Sequence, residues 1–440
     1  SLGTAEFSVT RVVKNITKYC TTIRDPYKCL YEIQKALYLC KSGRPGPVWI
    51  EVPLDVQAHK IKDIKSLKKF KIKENKKTNI NLNKFIEVLN NSKKPLFVIG
   101  NGLKQSKTEN LFKNFIRKYK VPFVTSRFAL DLFPYSMKEN MGLIGIKGTL
   151  YGEKLIKECD LIISLGCRLA PTLTFGNASY FKQKKIVSVN NDKNELNNPL
   201  INIKQKINTD LDIFFKNLNK YKNKINKKET KWLNKCISIK AANPIKDIFK
   251  ISYPLNLYQF MYELCENSNE NHILITDAGS NYYVGGQVWR FEKGQKEIAS
   301  TTNAAMGLSI PLSIGAAVAS KKQVLSVTGD GSIELNIQEL KTISHYNLNI
   351  KTFVINNGGY ASMKKWQDDY FKGNRLDTEE LTGVGTMNFN RIAKAFNLNY
   401  VQIKKSSEIK NKLKLIFSNK KPIIVEVFTD PNQKIYGKKS

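Results

Sequence analysis

Asp330 stands between two glycines in Thr328-Gly329-Asp330-Gly331-Ser332, and Asn357 follows twenty-seven positions later in Asn356-Asn357-Gly358-Gly359-Tyr360. One carboxylate, one amide oxygen and the backbone carbonyl of Gly359 are hard oxygen donors. With diphosphate oxygens and a water they would complete the octahedral shell that Mg²⁺ demands. Gly329 and Gly331 let the chain turn sharply and approach a ligand closely. A helix starting after them would offer free N–H groups and a positive dipole end to a phosphate. Either motif alone also reads as ordinary turn chemistry. They make a site only if the fold joins them.

The flanking pattern predicts that it does. Gln323–Val327 is a short, Val-rich apolar run of the kind that forms a buried strand. Ile333, Ile337, Leu340 and Ile343 recur at helical spacing, which predicts one amphipathic helix over Ser332–Tyr346. Ile350–Ile355 reads as a second strand. Strand, glycine turn, helix and strand form a βαβ unit with parallel, adjacent strands. That unit places Asp330 and Asn357 together at the carboxyl ends of neighbouring strands, where open α/β sheets bind ligands.

GDGS followed by NN at this interval resembles the diphosphate and metal signature of thiamine diphosphate-dependent enzymes. The longer run GDGSIELNIQEL, with SMKKWQDDYF downstream, is similar to the large catalytic subunit of acetolactate synthase. The resemblance implies Mg²⁺ held by Asp330, Asn357 and the Gly359 carbonyl. It also implies thiamine diphosphate bound at Gly329, Asp330, Gly331 and Ser332, with the amides of Gly331 and Ser332 facing the diphosphate. Met306 in Met306-Gly307 matches the methionine that props the cofactor in its bent shape, although a methionine opening an apolar helix is by itself more often core. Met363 and Trp366 match the helix that walls the acceptor pocket. Lys364 replaces a small apolar residue there, and would either meet an anionic acceptor or face water.

The implied fold is α/β. It is a thiamine diphosphate-binding fold with doubly wound parallel sheets, a central Rossmann-like domain and a partial N-terminal pyrimidine-binding domain. Residues 1–60 resemble only the last third of that N-terminal domain: helix Asp25–Leu39 and a Gly/Pro turn running into a buried strand within Ser42–Val52. Residues 61–80 carry eight lysines against two acids and read as a solvated linker. Residues 81–202 form the central domain, with strands Pro95–Gly100, Val121–Thr125, Asp160–Leu165 and Lys185–Val189. Residues 203–253 read as a lysine-rich surface connection, and 254–440 as the domain that binds diphosphate and Mg²⁺.

Several features qualify the resemblance. The family's essential glutamate belongs to a part of the pyrimidine domain that precedes these residues. Glu6, Glu32 and Glu51 match other places, so no catalytic acid is assigned and the chain reads as N-terminally incomplete. FAD, carried by acetolactate synthases in the central domain, is implied by Gly166-Cys167-Arg168, but Leu169-Ala170-Pro171-Thr172 departs from the charged run that follows in those flavoenzymes. Gly100-Asn101-Gly102 alone is a weak dinucleotide signal. Ser280 and Asn281, in Asp277-Ala278-Gly279-Ser280-Asn281, depart from a Gly-Gln-His-Gln loop.

The implied reaction is decarboxylation of pyruvate and transfer of its two-carbon unit to a second carbonyl. That carbonyl is a 2-keto acid in branched-chain amino acid biosynthesis, or a nucleotide-bound keto-sugar in related carboligases. A cofactor-binding remnant without turnover is the alternative from another class. The family implies a homodimer or homotetramer.

Composition sets the outer limits. The net charge is +35 over 440 residues, yet only nine of the 72 basic residues are arginine. Nucleic-acid surfaces use arginine, clustering and interleaved aromatics, whereas these lysines are spread over loops and helix faces, so no nucleic-acid partner is expected. Seven cysteines without a CxxC pair and three scattered histidines support neither a zinc site nor a disulfide framework. No apolar run approaches the length of a membrane span. A reducing cytoplasm fits.

Overall fold

The structure, a computed structural model, describes residues 7–72, 79–176, 179–248, 255–300 and 303–437. Glu6 and Pro254, the expected start of the last domain, lie outside the described residues. Two six-stranded sheets, all of whose pairings are parallel, dominate the fold.

A small parallel pair comes first, β1 (Tyr19–Thr22) beside β2 (Val48–Glu51), joined by helix Cys29–Lys41. Asp25 caps the 3₁₀ turn before that helix, its Oδ1 accepting the Tyr27 N–H at 3.0 Å. The expected buried strand at Val48–Glu51 is only half-buried, and Trp49 is 40% exposed. Two strands and one helical layer cannot enclose a core.

The central sheet contains β3 (Pro95–Ile99), β4 (Phe123–Thr125), β5 (Asn140–Leu143), β6 (Leu161–Leu165), β7 (Lys185–Asn190) and β8 (Gln205–Asn208), in the order β5-β4-β3-β6-β7-β8. The expected surface connection over 203–253 is therefore corrected at its start. β8 pairs with β7 as the edge strand, and helix Leu211–Lys220 buries Leu211, Phe214, Phe215 and Leu218 in the central core. The lysines between these apolar positions hide an amphipathic pattern, because their heads reach water while the alternating side chains pack inward.

The second sheet contains β9 (His272–Thr276), β10 (Lys296–Ala299), β11 (Gln323–Gly329), β12 (Ile350–Asn356), β13 (Asn399–Ile403) and β14 (Ile423–Phe428), in the order β10-β9-β11-β12-β14-β13. β11 sends Leu325 and Val327 into one core and Val324 into the core on the opposite face. Burial on both faces explains why these strands read as continuous apolar runs. The two domains meet at a buried ion pair between Arg127 and Glu297, with the Arg127 guanidinium 4.7 Å from the Tyr282 ring centroid.

The single helix expected over Ser332–Tyr346 is broken. A turn of α-helix at Asp330–Ile333 passes through a 3₁₀ stretch, Glu334–Glu339, before helix Leu340–His345. Asn336 leaves helical geometry (φ −143°, ψ 31°), and its amide donates to the Gly307 carbonyl at 3.2 Å. The apolar period survives, with Ile333, Leu340 and Ile343 buried. Continuity is lost because a neighbouring turn offers Asn336 a better partner than the helix does.

In β12, an interior strand, Lys351 is fully buried, and its ammonium donates to the carbonyls of Asn419 and Lys421. Burial lowers its pKa from 10.5 to about 8. From pH 8 toward 10.5 the folded chain has released a proton that the unfolded chain still holds, so this group makes stability rise with pH in that window. Relative to Lys351→Met, the parent should gain up to about 1.4 kcal/mol of unfolding free energy per pH unit there. Denaturant melts of both proteins at several pH values check this, and parallel pH profiles would refute it.

Candidate functional site

The parallel register of β11 and β12 sets Gly329 opposite Ile355, so the next residues of each strand emerge side by side. The expected juxtaposition is present. Asp330, 2% exposed, accepts the Asn357 N–H (3.1 Å) and the Gly359 N–H (2.9 Å) on Oδ2, and the Gly331 N–H (3.0 Å) on Oδ1. Burial raises its pKa, and these backbone donors oppose that rise. The Gly331 amide, expected to face a diphosphate, is thus engaged by Asp330.

Two glycines in this loop are sterically required. A Cβ on Gly331 would lie 2.3 Å from the Tyr360 ring, and one on Gly359 (φ +106°) would lie 2.5 Å from the Thr378 carbonyl. The Gly359 carbonyl accepts the Ala361 N–H at 3.1 Å and keeps a second lone pair for a cation. Beside it, Asn357 Oδ1 is buried without a hydrogen-bond partner. Native proteins rarely leave such an oxygen unsatisfied, so an unpaired one beside a buried carboxylate fits a cation site. Among the described residues no cluster of three His, Cys, Asp or Glu side chains could hold a metal. A cation here would need ligand oxygens from a bound anion.

A residue that the sequence reading passed over holds the site in place. Asp277, at the end of β9, is wholly buried; its Oδ2 accepts the hydroxyls of Thr328 and Ser332, both at 2.8 Å. Its Oδ1 accepts from the Ala278 amide (2.7 Å) and the Asn281 side chain (3.4 Å). Ser332 in turn accepts the Gly307 N–H at 2.9 Å. One carboxylate therefore ties together the turn at 306–307, the glycine turn after β11 and the loop after β9. An aspartate at a strand end was visible in the sequence, but nothing there told which hydroxyls it would meet.

Met306 does not open a helix. It is half-buried in the turn before helix Ser309–Ser320, directly attached to Gly307 (φ +75°), whose N–H is the one held by Ser332. Met363 and Trp366 sit on helix Ala361–Tyr370, where Trp366 is 46% exposed and contacts Tyr370 and Phe371. Met363 is 48% exposed. Lys364 does not fit its expectation of an acceptor contact or a solvated charge, because it is 4% exposed with its ammonium on the carbonyls of Asn357 and Gly358. Glu32 and Glu51 are engaged internally, the former by Tyr19 and the latter by Thr22 and the Thr10 amide.

A cavity lies elsewhere. About 1770 Å³ opens at the carboxyl ends of the central strands, between that sheet, the segment around Arg44 and the pair Tyr282 and Tyr283. Gly100, Gly102 and Gly166 line it, but the Gly102 N–H donates to the Gly166 carbonyl at 3.0 Å, and a Cβ on Gly102 would clash with Gly166. These glycines serve close backbone packing. Arg168 and Arg44 both pair with Glu195 at the rim.

Removing the Asp277 acceptor should be costly, because two buried hydroxyls lose their partner at about 1–3 kcal/mol each. Asp277→Ala should melt well below the parent and Asp277→Asn, which keeps one acceptor oxygen, should fall between them. Equal melting of Ala variant and parent would show that Asp277 does not hold the site together.

Two family profiles match the chain. "Thiamine pyrophosphate enzyme, central domain" covers residues 82–218, and "Thiamine pyrophosphate enzyme, C-terminal TPP binding domain" covers 277–427. The chain is 25% identical to the acetolactate synthase large subunit of Cyanidium caldarium, over 98% of this chain and 75% of that protein. It is 26% identical to that of Lactococcus lactis subsp. lactis, over 96% and 72% respectively. It is 28% identical to the chloroplastic acetolactate synthase 2 of Nicotiana tabacum, over 86% of this chain and 58% of that protein. With both profiles falling on the two six-stranded sheets and the second spanning the Asp330–Asn357 loops, the chain belongs to the thiamine pyrophosphate-dependent enzymes and resembles the acetolactate synthase large subunit.

Proposed function

We propose that this chain binds thiamine diphosphate through Mg²⁺ and belongs to an acetolactate synthase-like carboligase, which decarboxylates a 2-keto acid and joins its two-carbon unit to a second carbonyl. The observation that carries the reading is the buried Asp330 beside the unpartnered Asn357 Oδ1 at adjoining strand ends. Asp330, Asn357 and the Gly359 carbonyl would hold the cation, and Gly329, Gly331 and Ser332 would border the diphosphate. Once bound, the cofactor supplies the electron sink for decarboxylation. The chain's own residues bind and orient it: Asp330 and Asn357 through the metal, Met306 from the turn held by Ser332.

A 2-keto acid acceptor is the better reading than a nucleotide-bound keto-sugar. Of the departures that left the keto-sugar open (Ser280, Asn281 and Lys364), Lys364 is the cation, and its charge is spent on the metal loop. Met363 and Trp366 would form one wall of the acceptor pocket in an assembly of two or four copies, consistent with their exposure in a single chain.

The central cavity supports a second ligand. Its volume exceeds the ordinary range of about 300–1,000 Å³ for small-molecule pockets, and its place at strand ends suits a dinucleotide such as FAD. Equilibrium dialysis with FAD checks this, and no retained flavin absorbance would remove it.

Asp330→Ala should abolish Mg²⁺-dependent thiamine diphosphate uptake, because it removes the only anionic protein ligand of the proposed cation. Calorimetric titration of parent and variant reads this directly; equal binding would refute the metal assignment. Carbon dioxide release from pyruvate then separates an enzyme from a cofactor-binding scaffold.

A further inference from the structure

We propose that Lys364 is a positioning residue that sets the conformation of the metal loop from the side opposite Asp330. The proposal rests on the thiamine diphosphate and Mg²⁺ reading for its function, but not for its geometry.

Within the turn that carries Asn357-Gly358-Gly359, the Gly358 N–H donates to the Asn356 side-chain oxygen at 3.3 Å, but the glycines add little restraint of their own. Gly358 and Gly359 both have positive φ, +72° and +106°, and nothing lies within 4 Å of a Cβ built on Gly358. Such a pair has several backbone conformations within easy reach. Two charged side chains select one of them. Asp330 Oδ2 takes the N–H of Gly359 at 2.9 Å, and Lys364 Nζ donates to the carbonyl of Gly358 at 3.3 Å. These two groups belong to the same peptide unit. In a trans peptide the C=O and N–H point in opposite directions from one plane. Lys364 and Asp330 therefore pull on opposite edges of the Gly358–Gly359 peptide, and rotation of that unit would break both contacts.

Lys364 also donates to the Asn357 carbonyl at 3.4 Å, which fixes the preceding unit. With the carbonyls of 357 and 358 drawn to the lysine, the side-chain oxygen of Asn357 remains the unpartnered buried oxygen of the loop. Without the lysine, the carbonyls of 357 and 358 would compete with that oxygen for a cation.

The ammonium is itself held. Glu379 Oε2 lies 3.8 Å away, and Arg375 grips both oxygens of Glu379 (2.8 and 2.9 Å) and both of Asp368 (2.9 and 3.0 Å). Asp368 is on the same helix as Lys364, so the forked arginine closes a ring that fastens residues 375–379 to that helix. The same segment reaches the loop directly, since the Tyr360 N–H donates to the Thr378 carbonyl at 2.9 Å.

The test uses Lys364→Met and Lys364→Arg, with two readouts. Without cofactor, amide exchange at Gly359 should be about tenfold or more faster in Lys364→Met, as expected for loss of a hydrogen bond from a charged group, and should return toward the parent rate in Lys364→Arg. With thiamine diphosphate present, half-saturation of uptake should need about tenfold more Mg²⁺ in Lys364→Met, and a value near the parent's in Lys364→Arg. Parent-like exchange and Mg²⁺ demand in Lys364→Met would overturn the proposal. So would faster exchange spread equally over β11, because Lys364 would then be a general stabiliser. If the parent itself takes up no cofactor, the functional reading fails and the exchange result alone decides: selective, Arg-rescued exchange at Gly359 sustains the positioning role, and its absence ends it.

Discussion

A carboxylate sealed from water must be satisfied where it stands, and Asp277 is satisfied entirely by hydrogen bonds. No salt bridge reaches it among the described residues; its donors are two hydroxyls, a backbone amide and a side-chain amide. Burying such a group is tolerable only if every donor keeps its place. The donors sit at the ends of β9 and β11 and on the helix that follows β9. The strand ends, the Ser332 hydroxyl and, through it, the Met306-Gly307 turn are consequently parts of one arrangement. Asp330 repeats the principle one step outward, collecting backbone N–H groups from both sides of the β11–β12 junction.

The same logic explains what the lysines do inside a chain of net charge +35. Several act as clamps on backbone carbonyls. Lys351 holds Asn419 and Lys421, Lys240 holds Tyr135 and Asn140, Lys228 holds Asn90 and Ser92, and Lys18 holds Leu39, Ser42 and Arg44. An ammonium has three donors and no acceptor, and its aliphatic stem can lie along apolar surface, so it suits the carbonyl-rich ends of helices and turns. Lys364 is the member of this set that lies at the site. A lysine-rich composition here signals internal fastening as well as a solvated surface.

The two domains are joined by polar contacts, one of which, at Arg127 and Tyr282, also borders the central cavity. Arg127, in a 3₁₀ turn after β4, reaches Glu297 on β10 and stacks on Tyr282, and burial raises the Glu297 pKa despite the guanidinium beside it. Gln287 donates to Gly148 of the central domain and to Tyr436 near the chain end. These contacts hold the helix after β9, which carries Asn281, against the central sheet. The same helix thus bonds Asp277 through Asn281 and presents Tyr282 and Tyr283 to the cavity.

Local pattern was enough for much of this. The strands β3, β6, β7, β11 and β12 and the approach of Asp330 to Asn357 were legible, because buried parallel strands must be apolar and a βαβ unit admits essentially one handedness. The glycine turns carried their own steric signature. What the residues could not disclose was which distant partner each polar group would find. Asn336 breaks its helix for a carbonyl twenty-nine positions away, Asp277 meets hydroxyls fifty-one and fifty-five positions on, and β8 joins a sheet from within a lysine-rich stretch. Lys364 turns inward to the carbonyls of 357 and 358 although its own helix face is polar. Hydrophobic period is a local property that one segment expresses alone, whereas satisfaction of a buried polar group depends on the whole tertiary arrangement, and that is where the site was decided.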